Sequence, residues 1–169
     1  YEGRLNNQGQ IELSVNNRYT FLTDEFSPTR QDDANPLPAN SDYNYTSVRF
    51  QFQSDRRKLF SYNLQTDIGE FFNGTKSSFQ TRLNFRVQPK LNVGLNSNID
   101  RIDLPEDYGS ATIVLISPRI DYTFNRSLFW STLIQYSNQR DNLGINSRLQ
   151  WRFAPLSDLF LVYNDNYFV

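Results

Sequence analysis

The segment FQTRLNFRVQPKLNVGLNSNI, residues 79–99, carries the clearest structural signal in this chain of 169 residues. From Phe79 to Val87 its apolar and polar residues alternate, and the alternation resumes after residues 88–90. Successive side chains of a β-strand point to opposite faces, so a period of two indicates a strand with one apolar and one polar face. The segment therefore predicts two antiparallel strands joined by a short turn.

The same period of two recurs along the chain and predicts about ten strands. No stretch has the 3.6-residue stripe of an amphipathic helix, and none approaches the roughly 20 apolar residues of a membrane-spanning helix. The sequence therefore predicts an all-β, antiparallel, up-and-down fold. The predicted strands centre on residues 1–5, 11–21, 48–52, 60–64, 79–87, 91–99, 120–124, 130–136, 149–153 and 159–163.

The predicted connections alternate between short and long. Short turns at one rim and long loops at the other are typical of transmembrane β-barrels in outer membranes, whose long loops are extracellular. The longest connection contains three prolines and is expected to be an extracellular loop. The short connections are 6–9, 54–57, 88–90, 125–127 and 155–158, and the long ones are 23–43, 69–77, 101–110 and 138–144.

The alternation fits two kinds of protein: a transmembrane barrel with its apolar face outward, or a soluble barrel or sandwich with that face inward. Large side chains crowd the apolar face, whereas a closed interior needs small residues among the large ones. The chain has only three lysines, Lys58, Lys76 and Lys90, all expected in turns or loops, whereas soluble surfaces are rich in Lys and Glu. These features favour the membrane interpretation.

The two faces define two sets of candidate residues. Aromatic residues near strand ends are expected to contact lipid and to form interfacial girdles; they are Tyr19, Phe21, Phe50, Phe52, Tyr122, Phe124, Trp130, Tyr136, Trp151, Phe153 and Tyr163. Charged residues of the other face are expected to line the barrel interior; they are Arg18, Arg49, Arg82, Arg86, Arg119, Arg148, Arg152, Glu12, Asp67, Asp100 and Asp121.

Seven arginines in this interior set outnumber its four carboxylates. An open interior with that surplus would favour anions. A closed interior filled by a structural hydrogen-bond network explains the same residues, because Arg pairs readily with Asn, Gln and Asp. The sequence does not separate these two interpretations.

Composition excludes several function classes. The chain has no Cys and no His, which removes thiolate chemistry, Ser-His-Asp triads and His-ligated metals. A net charge of −1 argues against nucleic-acid binding. The acidic residues of loop 23–43 (Asp24, Glu25, Asp32 and Asp33) lack the spacing of a calcium loop and are predicted to be solvated. We predict no catalytic residue, metal or cofactor, and no enzyme activity.

The second half of the chain resembles a family of surface proteins. The matching pieces are residues 102–105, Gln135-Tyr136, Asn146 with Arg148, Pro155 and the strand LFLVYN at residues 159–164. Over about residues 80–165 the chain resembles the C-terminal outer-membrane barrel of an uncharacterised Bacteroidota-type family. Longer members of that family pair the barrel with a sugar-binding-module-like β-sandwich. The resemblance implies a bacterial outer-membrane location and one further strand beyond residue 164.

The predicted rims place Tyr1 and Val169 on the long-loop side, whereas complete barrels have both termini on the short-turn side. Residues 1–169 are therefore expected to form one barrel domain, truncated at both ends and part of a larger barrel. The expected role is membrane anchor, complex component or passive pore, in contact with lipid, lipopolysaccharide and other outer-membrane or periplasmic proteins. Two alternatives remain: a soluble ligand-binding barrel or sandwich, and the barrel part of an enzyme whose active site lies elsewhere.

Overall fold

The computed structural model describes residues 1–5, 8–31 and 34–168. Asn6 and Asn7 of the first predicted turn, Asp32 and Asp33 of the acidic loop, and Val169 lie outside the described residues. Ten β-strands form from the described residues, as predicted. They are β1 (Glu2–Arg4), β2 (Gln10–Leu22), β3 (Ser41–Gln53), β4 (Phe60–Phe71), β5 (Gly74–Val87), β6 (Leu91–Asp103), β7 (Ser110–Asn125), β8 (Leu128–Ser137), β9 (Asn142–Ala154) and β10 (Ser157–Phe168).

Strands that follow one another in sequence are neighbours in the sheet, whose order runs from β1 to β10 without a crossover. The strand pairing is antiparallel: β8 pairs with β9 from Leu128↔Trp151 to Ser137↔Asn142. Within the described residues the only helical element is a 3₁₀ turn, Glu106–Tyr108. The predicted all-β, antiparallel, up-and-down arrangement is confirmed. No ladder joins β1 to β10 among the described strands, so closure into a barrel stays a prediction.

The predicted alternation of short and long connections is wrong between β4 and β5. The expected loop at residues 69–77 is a two-residue turn, 72–73, between β4 and β5, and the connection 104–109 is no longer than 54–59. A β-carbon added at Gly69 would lie 2.4 Å from the backbone oxygen of Thr46, and one at Gly74 would lie 2.2 Å from that of Asp103. These glycines therefore permit close backbone approach within the sheet and do not mark a loop.

Pro118 lies inside β7, and a proline inside a strand causes either a bulge or a missing ladder bond. The register with β8 continues unshifted from Ile116↔Tyr136 to Arg119↔Leu133, and no pairing is formed at Ser117 or Pro118. Proline lacks the N–H that a ladder bond requires, so the strand loses pairing locally without changing which face its later residues occupy.

Two compact units divide the chain. Unit 1 comprises Tyr1–Phe52, Leu64–Gln80 and Ile99–Ile113, and unit 2 comprises Gln53–Asn63, Thr81–Asn98 and Val114–Val169. Within each unit, alternate strand residues form a side rich in polar groups, here called the polar face. The intervening residues form the opposite side, here called the aromatic face.

Burial is distributed unusually between these faces. Among the described residues the buried hydrophobic ones are Leu37, Tyr45 and Ile102, all in unit 1. Tyr45 and Ile102 lie on the polar face, at every-second-residue positions with Arg49 and Asp100. Large side chains of the aromatic face are exposed instead: Tyr19 by 64% in unit 1 and Leu161 by 65% in unit 2. No apolar core therefore lies behind the aromatic face in the described part of the chain.

Candidate functional site

A cavity of about 400 Å³ on the polar face of unit 2 collects four arginines. Arg56 comes from the turn after β3, Arg82 and Arg86 lie on β5, and Arg119 lies on β7. We call this the arginine cavity. No Asp or Glu is among the described residues that line it; its other polar residues are Gln53, Ser61, Tyr62, Asn63, Asn84, Asn92 and Asn96.

Neutral amides hold two of these guanidinium groups. Arg56 Nη2 donates a hydrogen bond of 3.0 Å to Gln53 Oε1, and Arg82 Nε donates one of 3.0 Å to Asn96 Oδ1. The guanidinium of Arg86 makes no hydrogen bond or ion pair with the described residues. An amide oxygen orients a guanidinium without cancelling its charge, so the cavity keeps a positive potential.

Arg119 is the member of this group that has a carboxylate partner. Its Nε lies 3.0 Å from Asp121 Oδ2. Asp121 also accepts a hydrogen bond of 2.7 Å from Ser131 Oγ and one of 3.3 Å from Asn92 Nδ2. The register Asp121↔Ser131↔Arg148 explains this cluster, because directly paired residues of adjacent strands lie on the same face.

The two arginines of β9 lie on the polar face of unit 2 but do not line the arginine cavity. Arg148 stands over the ring of Phe160, 5.9 Å from its centroid, and Arg152 Nε lies 3.3 Å from Asp158 Oδ1. Phe160 and Val162 also occupy polar-face positions in β10, since they pair with Gln150 and Arg148. The polar character of this face therefore weakens in the last strand.

Unit 1 has its own polar-face cavity, of about 430 Å³, in which cations and carboxylates are mixed. We call this the paired cavity. Arg49 Nε lies 2.7 Å from Asp67 Oδ1, and Lys76 Nζ lies 3.4 Å from Asp100 Oδ2. Arg18 lines this cavity without an ion pair to any described residue. Most of its positive charge is thus neutralised locally.

Glu12 and Asp100 complete the predicted interior set. Glu12 pairs in register with Glu2 across β1 and β2 and makes no ion pair with the described residues. Asp100 also accepts a hydrogen bond of 2.5 Å from the buried Ser78 Oγ. The structure thus brings Arg49 together with Asp67, and Arg119 with Asp121, but it leaves Glu12 apart.

The long connection between β2 and β3 spans residues 23–40, shorter than the predicted 23–43 because β3 begins at Ser41. It folds onto unit 1: Leu37 is completely buried and forms a β-bridge with Phe26. Thr29 Oγ1 donates to Tyr108 O at 3.4 Å, and the Asn35 N–H donates to Asp107 O at 2.9 Å. Aromatic rings pack beneath it, with Phe26 and Phe72 5.5 Å apart.

All eleven predicted lipid-contacting residues occupy aromatic-face positions, by strand alternation and by the registers of β7 to β10. Tyr122 packs against Phe124 with ring centroids 4.7 Å apart. The face also carries polar groups: Trp130 Nε1 donates to Ser147 Oγ at 3.0 Å, and Tyr163 donates to Asp165 Oδ2 at 3.2 Å. Whether lipid contacts this face stays a prediction.

Two cavity residues were missed or misplaced by the sequence patterns. Lys76 was expected in a loop but lies in β5, on the polar face. Lys76, Ser78, Gln80 and Arg82 are polar residues at every second position, and this period of two could have placed Lys76 in the strand. Arg56 contacts Gln53 only because of the conformation of turn 54–59, for which the sequence offers no comparable signal.

No group of three or more acidic side chains positioned to hold a metal ion occurs in residues 1–5, 8–31 and 34–168. Asp103, the last residue of β6, pairs with Arg101 at 3.0 Å. No helix within the described residues is long and apolar enough to cross a membrane. No family model, curated protein or solved structure matches the chain. The resemblance to a Bacteroidota barrel family therefore stays a prediction.

Proposed function

We propose that this chain is an integral outer-membrane β-barrel protein of a Gram-negative bacterium, or a large part of one. The observation that carries the proposal is the exposure of large hydrophobic side chains along the aromatic face, exemplified by Tyr19, Phe153 and Leu161. Soluble monomers rarely expose contiguous apolar surface of this extent. A barrel in lipid needs an apolar band on its outside, flanked by aromatic girdles.

The polar face supports the same proposal. Its charged groups pair across strands, as Arg49 does with Asp67 and Arg119 with Asp121. Its amides bond to arginines, as Asn96 does to Arg82. Such networks suit an interior that lipid does not reach, because in a low dielectric each partner stabilises the other strongly. This arrangement is the reverse of a soluble protein with an apolar core.

The proposed membrane location requires a partner strand at the free edge of β10. β10 pairs with β9 over its whole length, and its other edge has no partner strand among the described residues. Unpaired backbone groups are too costly to expose to lipid. In the membrane, further strands of a longer chain or of a partner chain must therefore pair with this edge. The proposed role is membrane anchor, complex component or passive pore, with lipopolysaccharide and outer-membrane or periplasmic proteins as partners.

Fractionation and gel mobility test the proposal. We expect the protein to need detergent for extraction and to migrate differently on denaturing gels before and after heating, because closed barrels resist unfolding by detergent alone. A monodisperse protein in detergent-free buffer, with no heat-dependent shift, contradicts the proposal.

Planar bilayer recording separates a pore from an anchor. A pore lined by the polar face should give stepwise currents that favour anions, since the interior set carries more arginines than carboxylates. Silent bilayers containing folded protein would assign the chain an anchoring or assembly role instead.

A further inference from the structure

We propose that the arginine cavity of unit 2 is a binding site for a small polyanion, one that carries several phosphate, sulfate or carboxylate groups. The cavity concentrates Arg56, Arg82, Arg86 and Arg119 in about 400 Å³, and no described carboxylate lines it. The paired cavity of unit 1, of similar size, includes Asp67 and Glu70 in its lining. Arg119 is paired with Asp121, but Arg56, Arg82 and Arg86 have no carboxylate partner among the described residues, and such a cluster suits an anionic ligand.

The way the arginines are held supports binding over internal pairing. Arg82 uses its Nε to bond Asn96, so its two terminal nitrogens remain able to donate to a ligand. Arg86 has its whole guanidinium available. A planar guanidinium with free N–H groups binds oxyanions through paired, charge-assisted hydrogen bonds.

The spacing of the arginines along β5 favours a ligand with several charged groups. Arg82 and Arg86 are four residues apart on one face of β5, which separates their α-carbons by about 13 Å. One small monovalent anion would have to draw the two side chains together, whereas an anion with several charged groups can contact both where they stand. Asn63 and Asn84 line the same cavity and offer neutral N–H donors for the oxygens between the charged groups.

This inference goes beyond the proposed membrane role and does not depend on it. All of the cavity residues belong to unit 2, and an anion could bind to them whether or not lipid contacts the aromatic face. The binding experiment is therefore done in whichever medium keeps the full chain folded, detergent micelles or plain buffer. A failure to bind the anion would leave the membrane proposal intact. A failure of the membrane proposal would likewise leave the binding site intact.

Calorimetric titration with inorganic tripolyphosphate at low salt tests the site. The main variant is Asn96→Asp, because the new carboxylate keeps the acceptor for Arg82 while neutralising its charge. We expect tripolyphosphate to bind the wild-type chain and Asn96→Asp to weaken binding about tenfold. The matched control is Asn125→Asp, in which the same charge is added where Asn125 Oδ1 accepts from the Ser127 N–H, outside the cavity. Its affinity should be unchanged.

Arg86→Gln is a second variant whose guanidinium has no contact to lose, so it tests the site without disturbing the fold. It too should weaken binding about tenfold. The proposal is overturned if the folded wild-type chain does not bind tripolyphosphate at low salt. It is also overturned if Asn96→Asp and Asn125→Asp weaken binding equally, because that would show a general effect of net charge.

Discussion

Two adjacent rows of residues across β7 to β10 differ in character, most clearly from β7 to β9. One row, Tyr122–Trp130–Leu149–Leu161, lies on the aromatic face and contains no charged residue. The next row, Asp121–Ser131–Arg148–Val162, lies on the polar face and contains the hydrogen-bonded Asp121. None of the four residues of this apolar row is buried: Leu161 is 65% exposed, and Tyr122, Trp130 and Leu149 are partly exposed.

A sheet that hydrogen-bonds its charges on one side and exposes its hydrophobic residues on the other has its apolar surface directed at the surroundings. In water this arrangement exposes apolar surface at a cost that scales with its area. In lipid the same surface is matched to its solvent, and the polar face becomes the interior. We therefore expect the apolar row to face lipid and the polar row to face the interior of the barrel.

The largest effect is expected from an arginine placed in the apolar row. In Leu149→Arg, a charge replaces a side chain that lies between Trp130 and Leu161, and we expect the free energy of folding into a bilayer to become less favourable by about 2–4 kcal/mol. The matched control is Gln150→Arg, on the polar face one residue along β9. Unfolding in urea from liposomes measures both. Equal destabilisation by the two variants would show that the apolar row and the polar face do not lie in different environments.

Strand positions could be read from the sequence because side-chain alternation is a local property. Connection lengths could not: Gly69 and Gly74 read as loop residues, but each is a place where another strand's backbone approaches too closely for a β-carbon. Because of the same glycines, Lys76 was expected in a loop, and its ion pair with Asp100 was not predicted. The amide contacts of Arg56 and Arg82 depend on turn geometry and strand register, which alternation does not specify.

A smaller effect is expected from the polar row. Asp121→Asn removes the charge that Arg119, Ser131 and Asn92 contact, and we expect a loss of about 1 kcal/mol in the free energy of unfolding, reduced because the pair is partly exposed. The neighbouring change Tyr122→Phe removes a hydroxyl from the aromatic face and should be nearly neutral. A larger loss in Tyr122→Phe than in Asp121→Asn would show that the polar contacts on that side are not the ones that stabilise the sheet.

The smallest effect is expected in turn 54–59, which belongs to neither row. A side-chain hydrogen bond from Arg57, helped by its backbone N–H, holds the pKa of Asp55 below 3.8. Because the folded-state pKa is lowered, this contribution is complete above pH 3.8 and is lost as the pH falls through the folded-state value. Carbon-detected NMR titration should give a midpoint below 3.8 that rises toward it in Arg57→Gln. A midpoint at or above 3.8 in the wild-type chain would show that the contact between Asp55 and Arg57 does not stabilise the carboxylate.

Tryptophan fluorescence in liposomes with brominated acyl chains reports directly on contact between lipid and the aromatic face. The chain has two tryptophans, Trp130 and Trp151, and both lie on the aromatic face. A control chain with Trp130→Phe, Trp151→Phe and Phe129→Trp carries its indole on the polar face instead, where Phe129 pairs with Gln150. If lipid contacts the aromatic face, the wild-type protein should be strongly quenched and the control quenched only a little. Equal quenching of the two, or stronger quenching of the control, would contradict it.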